Sequence, residues 1–286
     1  MKWVNKSNVL IVGLGLMGGS YAKAIKRIGH NVLAIDKDKE AIEYGLEAGI
    51  IDEGSDKDDV ELIKKADCII IALYPSIVCD WVKKNKSYFK EGIKITDVMG
   101  VKSSILYDIQ DALGDAKVEY ISAHPMAGRE VWGVKNSSDK IFRDANYIVV
   151  PTDKNTEEGV IWCENLGRIL GFNRVSVLSP EEHDDMIAYV SQLTHCIAVA
   201  LMTCEDSVKA KDYTGDSFRD LTRIANINGE MWSELFLMNK KALLNQIDLF
   251  MNEMGDIKKM IEEDDRDGLK DIMRLSTERR SKFYKE

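Results

Sequence analysis

The chain of 286 residues is 45% hydrophobic with a formal net charge of −9, which suits two domains with a buried core in each. That acidic balance argues against nucleic acid or an anionic membrane as a partner, because either rewards a basic surface, and an anionic substrate must be met by a local cluster of cations. Its five cysteines are an odd number without C-x-x-C spacing, so neither a disulfide framework nor a metal site is expected, and a reducing cytoplasm fits best.

At the N-terminus, Lys2 and Lys6 precede an apolar stretch that glycines interrupt with no cleavage site beyond, unlike a secretory leader. No window approaches the roughly 18 uninterrupted apolar residues of a membrane span. The apolar run Val9-Leu10-Ile11-Val12 meets Gly13, Gly15 and Gly18 in G-x-G-x-x-G spacing, and a helix-period segment, 16–28, follows. In a strand–turn–helix the first glycine allows the tight turn, the second lets backbone N–H groups approach a pyrophosphate, and the third lets helix and strand pack closely. A second strand, 31–35, ends at Asp36, 18 residues after Gly18, close to the ~20 expected of the residue that binds the adenine ribose. A carboxylate there accepts from both ribose hydroxyls and repels a 2′-phosphate. Gly13, Gly15, Leu16, Met17, Gly18 and Asp36 are therefore the expected NAD contacts.

A helix is expected over 39–47, a connection or edge strand over 50–55, a short helix over 59–65 and a buried parallel strand over 68–73. Ser76 can cap a helix running to about residue 86. Strands at 93–97, 119–122, 146–150 and 174–178 alternate with helices at 103–113 and 157–170. The alternation makes residues 1–179 a doubly wound α/β domain with a parallel sheet of Rossmann type. At Ser179-Pro180-Glu181-Glu182 a serine cap, a proline at the first helical position and acidic residues announce a helix. Helices over 185–204, 216–225, 230–250, 252–263 and 267–283 make residues 180–286 an all-helical second domain. The first, extended back to its cap, spans about 25 residues, or roughly 37 Å. Because it is apolar around most of its circumference, a second subunit is expected to cover it, giving a homodimer.

Ligands of an open α/β sheet lie beyond the carboxyl ends of its strands. The polar groups projected to leave those ends are Asp97, Lys102, His124, Arg129 and Glu130. Pro125 forces His124 into an extended conformation on a loop. A neutral imidazole there suits removal of a carbinol proton as hydride leaves for nicotinamide, the alternative being a solvated loop histidine. His30 reads as a surface turn residue, and His183, in a first helical turn that disfavours its cation, reads as exposed. His195, four residues after Ser191 on the apolar helix, is either a core histidine or a group lining the interdomain cleft. Arg219 and Arg223 stand at i, i+4 and either pair with Asp216 and Asp220 or bind a substrate carboxylate bidentately.

With Gly13-Leu14-Gly15-Leu16-Met17-Gly18-Gly19-Ser20, His124-Pro125-Met126-Ala127-Gly128-Arg129-Glu130 and Phe218-Arg219-Asp220-Leu221-Thr222-Arg223-Ile224-Ala225 in this order, the chain resembles prephenate dehydrogenase across both domains. The resemblance implies oxidative decarboxylation of prephenate with NAD, giving 4-hydroxyphenylpyruvate, carbon dioxide and NADH, without a metal. It implies His124 as base on the ring hydroxyl, Arg223 as carboxylate anchor of a dicarboxylate substrate, His195 bordering that substrate, Asp220 near the cleft entrance and Arg129 as an added cation. Gly100 replaces a serine that can support the histidine in relatives, leaving a backbone carbonyl, Asp97 or another polar side chain to orient His124. Gln192 and Thr194 depart from the family's Ser-His-Leu-Pro-His pattern. No βαββαβ segment follows the helices, so neither the regulatory domain of some relatives nor a fused mutase is expected. Arogenate dehydrogenase is the alternative within the family. A β-hydroxyacid dehydrogenase would need a lysine that 185–204 lacks, and a non-catalytic NAD-sensing dimer would need neither base nor cations.

Overall fold

A computed structural model describes residues 3, 6–205 and 210–283. Strands and helices alternate as β1 (Asn8–Val12), α1 (Leu16–Arg27), β2 (Asn31–Ile35), α2 (Lys39–Glu47), β3 (Glu53–Ser55), α3 (Val60–Lys65), β4 (Cys68–Ile71), α4 (Pro75–Asn85), β5 (Lys94–Asp97), α5 (Leu106–Leu113) and β6 (Glu119–Tyr120). The strands form a six-stranded sheet in the order β3-β2-β1-β4-β5-β6, with every pairing parallel. Side chains alternate across it: Val9 and Ile11 enter one core, Leu10 and Val12 the other. A sheet covered on both faces needs this continuous run of apolar residues.

The strands beyond β6 do not extend this sheet. β7 (Ser122–Met126), β8 (Asn146–Val150) and β9 (Arg174–Val177), with α6 (Glu157–Leu170) between the last two, form a separate three-stranded sheet. Its first pair is antiparallel and its second parallel. Buried Asp97, at the end of β5, marks the split. Its carboxylate accepts from the Tyr120 hydroxyl, from Ser122 Oγ at 2.9 Å and from the Ala123 N–H at 3.2 Å. The chain therefore changes partners at Ile121, and His124 lies on a strand, not on the expected loop. The start of α4 differs in detail too: Tyr74 holds the N-cap position and Pro75 is already helical, where its missing N–H costs nothing.

Ser179 and Glu182 close a reciprocal capping box, and the helix it opens runs as α7 (Pro180–Ile187), a π turn (Ala188–Leu193) and α8 (Thr194–Thr203). α9 (Asp216–Thr222) and α10 (Gly229–Met238) follow. Residues Met1–Asn239 form one compact unit. A second, Lys240–Glu286, contains α11 (Lys240–Glu262) and α12 (Arg266–Ser281), whose start is capped by Asp265. The break between α10 and α11 falls at Asn239 rather than near residue 251, because the Asn239 side chain is drawn into a buried network.

By length and composition Pro180–Thr203 could cross a membrane, and 28% of its most apolar window is buried. Its inward side carries buried His183, Asp184 and Gln192, while Met186, Tyr189, Val190 and Met202 are exposed.

Candidate active site

The turn after β1 is built for close approach. Gly13 has φ +94°, and a Cβ there would strike the Ala72 carbonyl, while one on Gly18 would strike the Gly13 carbonyl. Gly15 instead faces open space and starts α1 without a side-chain cap. The first N–H groups of α1, from Leu16, Met17 and Gly18, are thus available to an anion. Asp36 accepts from the Leu14 N–H at 2.5 Å and the Asp38 N–H at 2.8 Å, which holds its carboxylate at the end of β2 where a ribose would lie. A cradle that a Cβ at Gly15 would fill, with a carboxylate at its rim, fits a dinucleotide.

His124 is aligned by other side chains. Its Nδ1 lies 2.9 Å from Nε2 of His183, and the Nδ1 of His183 lies 2.7 Å from the Asp184 carboxylate. Asp184 also accepts from the backbone N–H groups of Lys102 at 2.9 Å and Ser103 at 2.8 Å. Burial pushes the Asp184 carboxyl up, but hydrogen bonds from His183 and Ser103 outweigh it, and its pKa lies below the ordinary value. An ionised carboxylate only accepts, so His183 Nδ1 must carry a proton and donate it. His183 Nε2 is then an acceptor, and His124 Nδ1–H donates to it. The remaining nitrogen of His124, Nε2, is left with a lone pair that, among the described residues, accepts no hydrogen bond. Burial first, then His183 and Lys102, hold the His124 pKa well below its usual value. His183 is lowered as well, burial outweighing the pull of Asp184. Two neutral imidazoles in series, ending on a fixed carboxylate, are what proton abstraction at His124 Nε2 requires.

His183 and Asp184 were missed in sequence, and His183 is fully buried rather than exposed. Their signal was a capping box followed at i+4 by buried Ile187 and Ala188, which places both polar side chains on the inward face. His30 is also buried, accepting from the Ser7 N–H at 3.1 Å. Asp97 does not orient His124. It is bound by fully buried Lys102 at 2.6 Å, whose ammonium also donates to the Ala123 carbonyl at 2.7 Å, next to His124. Burial lowers the Lys102 pKa and the charge of Asp97 opposes it. Through its backbone N–H and its side chain, Lys102 fixes both ends of the imidazole pair.

A second group lies on the loop after β7 and on the helices. Arg223, at the C-cap of α9, pairs with Glu130 and not with Asp220, whereas Arg219 turns to Asp216 at 2.5 Å. His195 donates to the Ser191 carbonyl at 2.9 Å, and its ring packs against Trp232, tilted by 30° with centroids 3.7 Å apart. Burial lowers the His195 pKa, with Glu130 and Arg223 close enough to act on it in opposite senses. Arg129 and Asp220 are exposed, and among the described residues no hydrogen bond or ion pair joins either to this group. α10 links the two groups. Leu235 Cδ1 lies 3.7 Å, and His124 Nε2 3.8 Å, from the point where a Cβ of Gly100 would stand. Trp232, one turn earlier on α10, is about 4.5 Å away along the helix axis.

A dinucleotide turn on a parallel sheet, with a buried neutral imidazole and a guanidinium–carboxylate pair reached through one helix, defines an NAD-dependent dehydrogenase. Residues 21–171 match the family model for the prephenate dehydrogenase nucleotide-binding domain, and residues 179–275 the model for the prephenate dehydrogenase dimerization domain. The chain belongs to the prephenate dehydrogenase family. It is 31% identical over 273 residues to a prephenate dehydrogenase of Bacillus subtilis, spanning 92% of this chain and 72% of the relative. It is 32% identical over 259 residues to the Lactococcus lactis prephenate dehydrogenase, spanning 87% of this chain and 70% of that one. The crystal structure of prephenate dehydrogenase from A. aeolicus in complex with hydroxyphenyl propionate and NAD+ is 29% identical with a TM-score of 0.89, covering 99% of this chain and 100% of that one.

Proposed function

We propose that this chain catalyses the NAD-dependent oxidative decarboxylation of prephenate to 4-hydroxyphenylpyruvate, a step of tyrosine formation, with His124 as the base. The observation that carries the assignment is the hydrogen-bond chain from Asp184 through His183 to His124, which leaves the His124 Nε2 lone pair free. Bound nicotinamide supplies the hydride acceptor. His124 Nε2 takes the ring hydroxyl proton as the carbinol carbon becomes a carbonyl, and His183 and Asp184 stabilise the imidazolium that forms. Loss of the ring carboxylate as carbon dioxide then restores aromaticity, the electron pair of the broken C–C bond passing through the ring to the carbonyl oxygen, which takes the proton back from His124 Nε2 to give the phenol. Gly13, Gly15, Leu16, Met17, Gly18 and Asp36 hold the dinucleotide.

Arg223 anchors a substrate carboxylate. Its pair with Glu130 is largely exposed, at 64% and 36% of the two side chains, and such pairs are worth only about 0–1 kcal/mol. A carboxylate that binds the guanidinium fork therefore displaces Glu130 at little cost. His195 and Trp232 wall the site, and Arg129 and Asp220 lie at its entrance. The substrate and dimerisation region begins at residue 180. The exposed apolar face of α7 and α8 supports a homodimer in which the partner covers it, in a cytoplasmic enzyme.

Steady-state NADH formation with prephenate and with arogenate tests the reading. Faster turnover of arogenate would reassign the substrate. His124→Asn should lower turnover about 10²–10⁴-fold with NAD+ affinity kept, and a near-normal rate would remove His124 from the mechanism. Arg223→Ala should raise the prephenate KM, and an unchanged KM would leave Arg223 with only its pairing to Glu130.

A further inference from the structure

The π turn Ala188–Leu193 has a consequence for the site. In an uninterrupted α-helix the residue seven after Asp184, Ser191, would share its face. A single π turn inserts one residue, and Gln192 takes that inward place at 1% exposure, with Ser191 only partly covered.

Gln192 meets Asn239, itself 6% exposed. Asn239 Nδ2 donates at 2.8 Å both to the Asp184 main-chain carbonyl and to Gln192 Oε1. Gln192 Nε2 donates to the Leu235 carbonyl at 3.0 Å. Each partner of the two NH₂ groups can only accept, so neither amide can be flipped without setting like groups against each other. The Leu235 carbonyl also accepts from the Asn239 N–H at 3.2 Å, so Gln192 and Asn239 both bond to it. The pair thus ties the residue whose carboxylate ends the imidazole chain to the helix that carries Leu235 and Trp232.

We infer that Gln192 and Asn239 are positioning residues, a buried amide clamp that sets the distance between His124 and the α10 wall of Leu235 and Trp232. The inference rests on the proposed dehydrogenase activity and adds to it a control on geometry that touches neither substrate nor cofactor. With no side chain at Gly100, Leu235 Cδ1 and His124 Nε2 border the same open point, 3.7 and 3.8 Å from where a Cβ would stand. A small shift of α10 therefore moves one side of the site relative to the base, and a misplacement of about 1 Å can cost about 10²-fold in rate.

Gln192→Leu keeps the volume but loses both hydrogen-bonding functions. It should lower kcat about tenfold or more, with the NAD+ Kd and the acid limb of the pH profile unchanged because the imidazole chain is untouched. Gln192→His restores one donor and one acceptor and should recover most of the rate. Gln192→Glu, which keeps only acceptors, gives a second reading of the lost donor should the leucine variant fold poorly. A parent chain inactive on both prephenate and arogenate would sink the activity and this inference together. A parent that turns over, with a folded leucine or glutamate variant within about twofold of its kcat and only a lower Tm, would overturn the clamp alone and leave the pair a purely stabilising contact.

Discussion

Asp184→Asn isolates the contribution of the imidazole chain. The parent carboxylate accepts three hydrogen bonds, from His183 at 2.7 Å, Lys102 at 2.9 Å and Ser103 at 2.8 Å. An amide has one accepting oxygen, so its NH₂ group must face one of those donors. If it faces His183, that ring gives up its Nδ1 proton and carries it on Nε2. His124 Nδ1 must then accept, and the proton of His124 moves to Nε2, the nitrogen that has to act as base. Holding the productive tautomer against a neutral amide instead exchanges a charge-assisted hydrogen bond of about 1.5–3 kcal/mol for a neutral one of about 0.5–1.5, and leaves a backbone donor unmet at about 1–3 kcal/mol. A net loss of roughly 2–4.5 kcal/mol corresponds to about 30–2,000-fold in kcat at about 1.36 kcal/mol per decade. This is less than the ~10⁴ seen when a carboxylate directly bonded to the catalytic imidazole is neutralised in a serine protease, because one ring intervenes here. The assay is NADH formation from saturating prephenate and NAD+ near neutral pH, with NAD+ affinity and Tm measured on the same preparation. A folded Asp184→Asn enzyme within about threefold of parental kcat would refute the tautomer argument.

Other consequences can be measured independently. Burial holds His30, His124 and His183 below their usual pKa, so below about pH 6.5 the unfolded chain binds protons that the folded one refuses. Stability should be complete above that pH and fall as pH drops, by up to about 1.4 kcal/mol per pH unit for each histidine that stays neutral; a flat Tm between about pH 7 and pH 5 would contradict the buried neutral assignment. Gly13→Ala should lower the Tm, since its φ of +94° and the Ala72 carbonyl both oppose a Cβ, whereas Gly15→Ala should leave the Tm alone and raise the NAD+ Kd about tenfold, or about 1.4 kcal/mol. Equal effects of the two substitutions on Tm and Kd would speak against this division of labour. Gly100→Ser meets nothing closer than 3.7 Å with its Cβ, so turnover should stay within about fivefold, or roughly 1 kcal/mol; an inactive, folded variant would mean that the bare glycine is needed.

Features encoded by neighbours in sequence were legible in advance. The glycine turn, the helix it starts and the aspartate ending β2 lie within one strand–helix–strand unit, so their spacing carries their geometry. The Ser179 cap was readable because its partner, Glu182, is three residues away. Pro125 correctly demanded extended backbone at His124, but whether that segment is a loop or a strand depended on β8, which pairs with it from positions 146–150.

Long-range packing decided the rest. The sequence brought His124, Arg223 and His195 forward through residue type and family pattern, but not the partners that set their chemistry. His183 meets His124 across 59 positions and Glu130 meets Arg223 across 93, and no local spacing specifies such pairs. The π turn matters for the same reason: one additional residue in a helical turn rotates everything after it by about 100°, turning Gln192 inward in place of Ser191. Local sequence determines which backbone conformation a segment adopts, because those forces act over a few residues. Which faces meet, and therefore which nitrogen of His124 keeps its lone pair, is settled only when distant segments compete for the same buried hydrogen bonds.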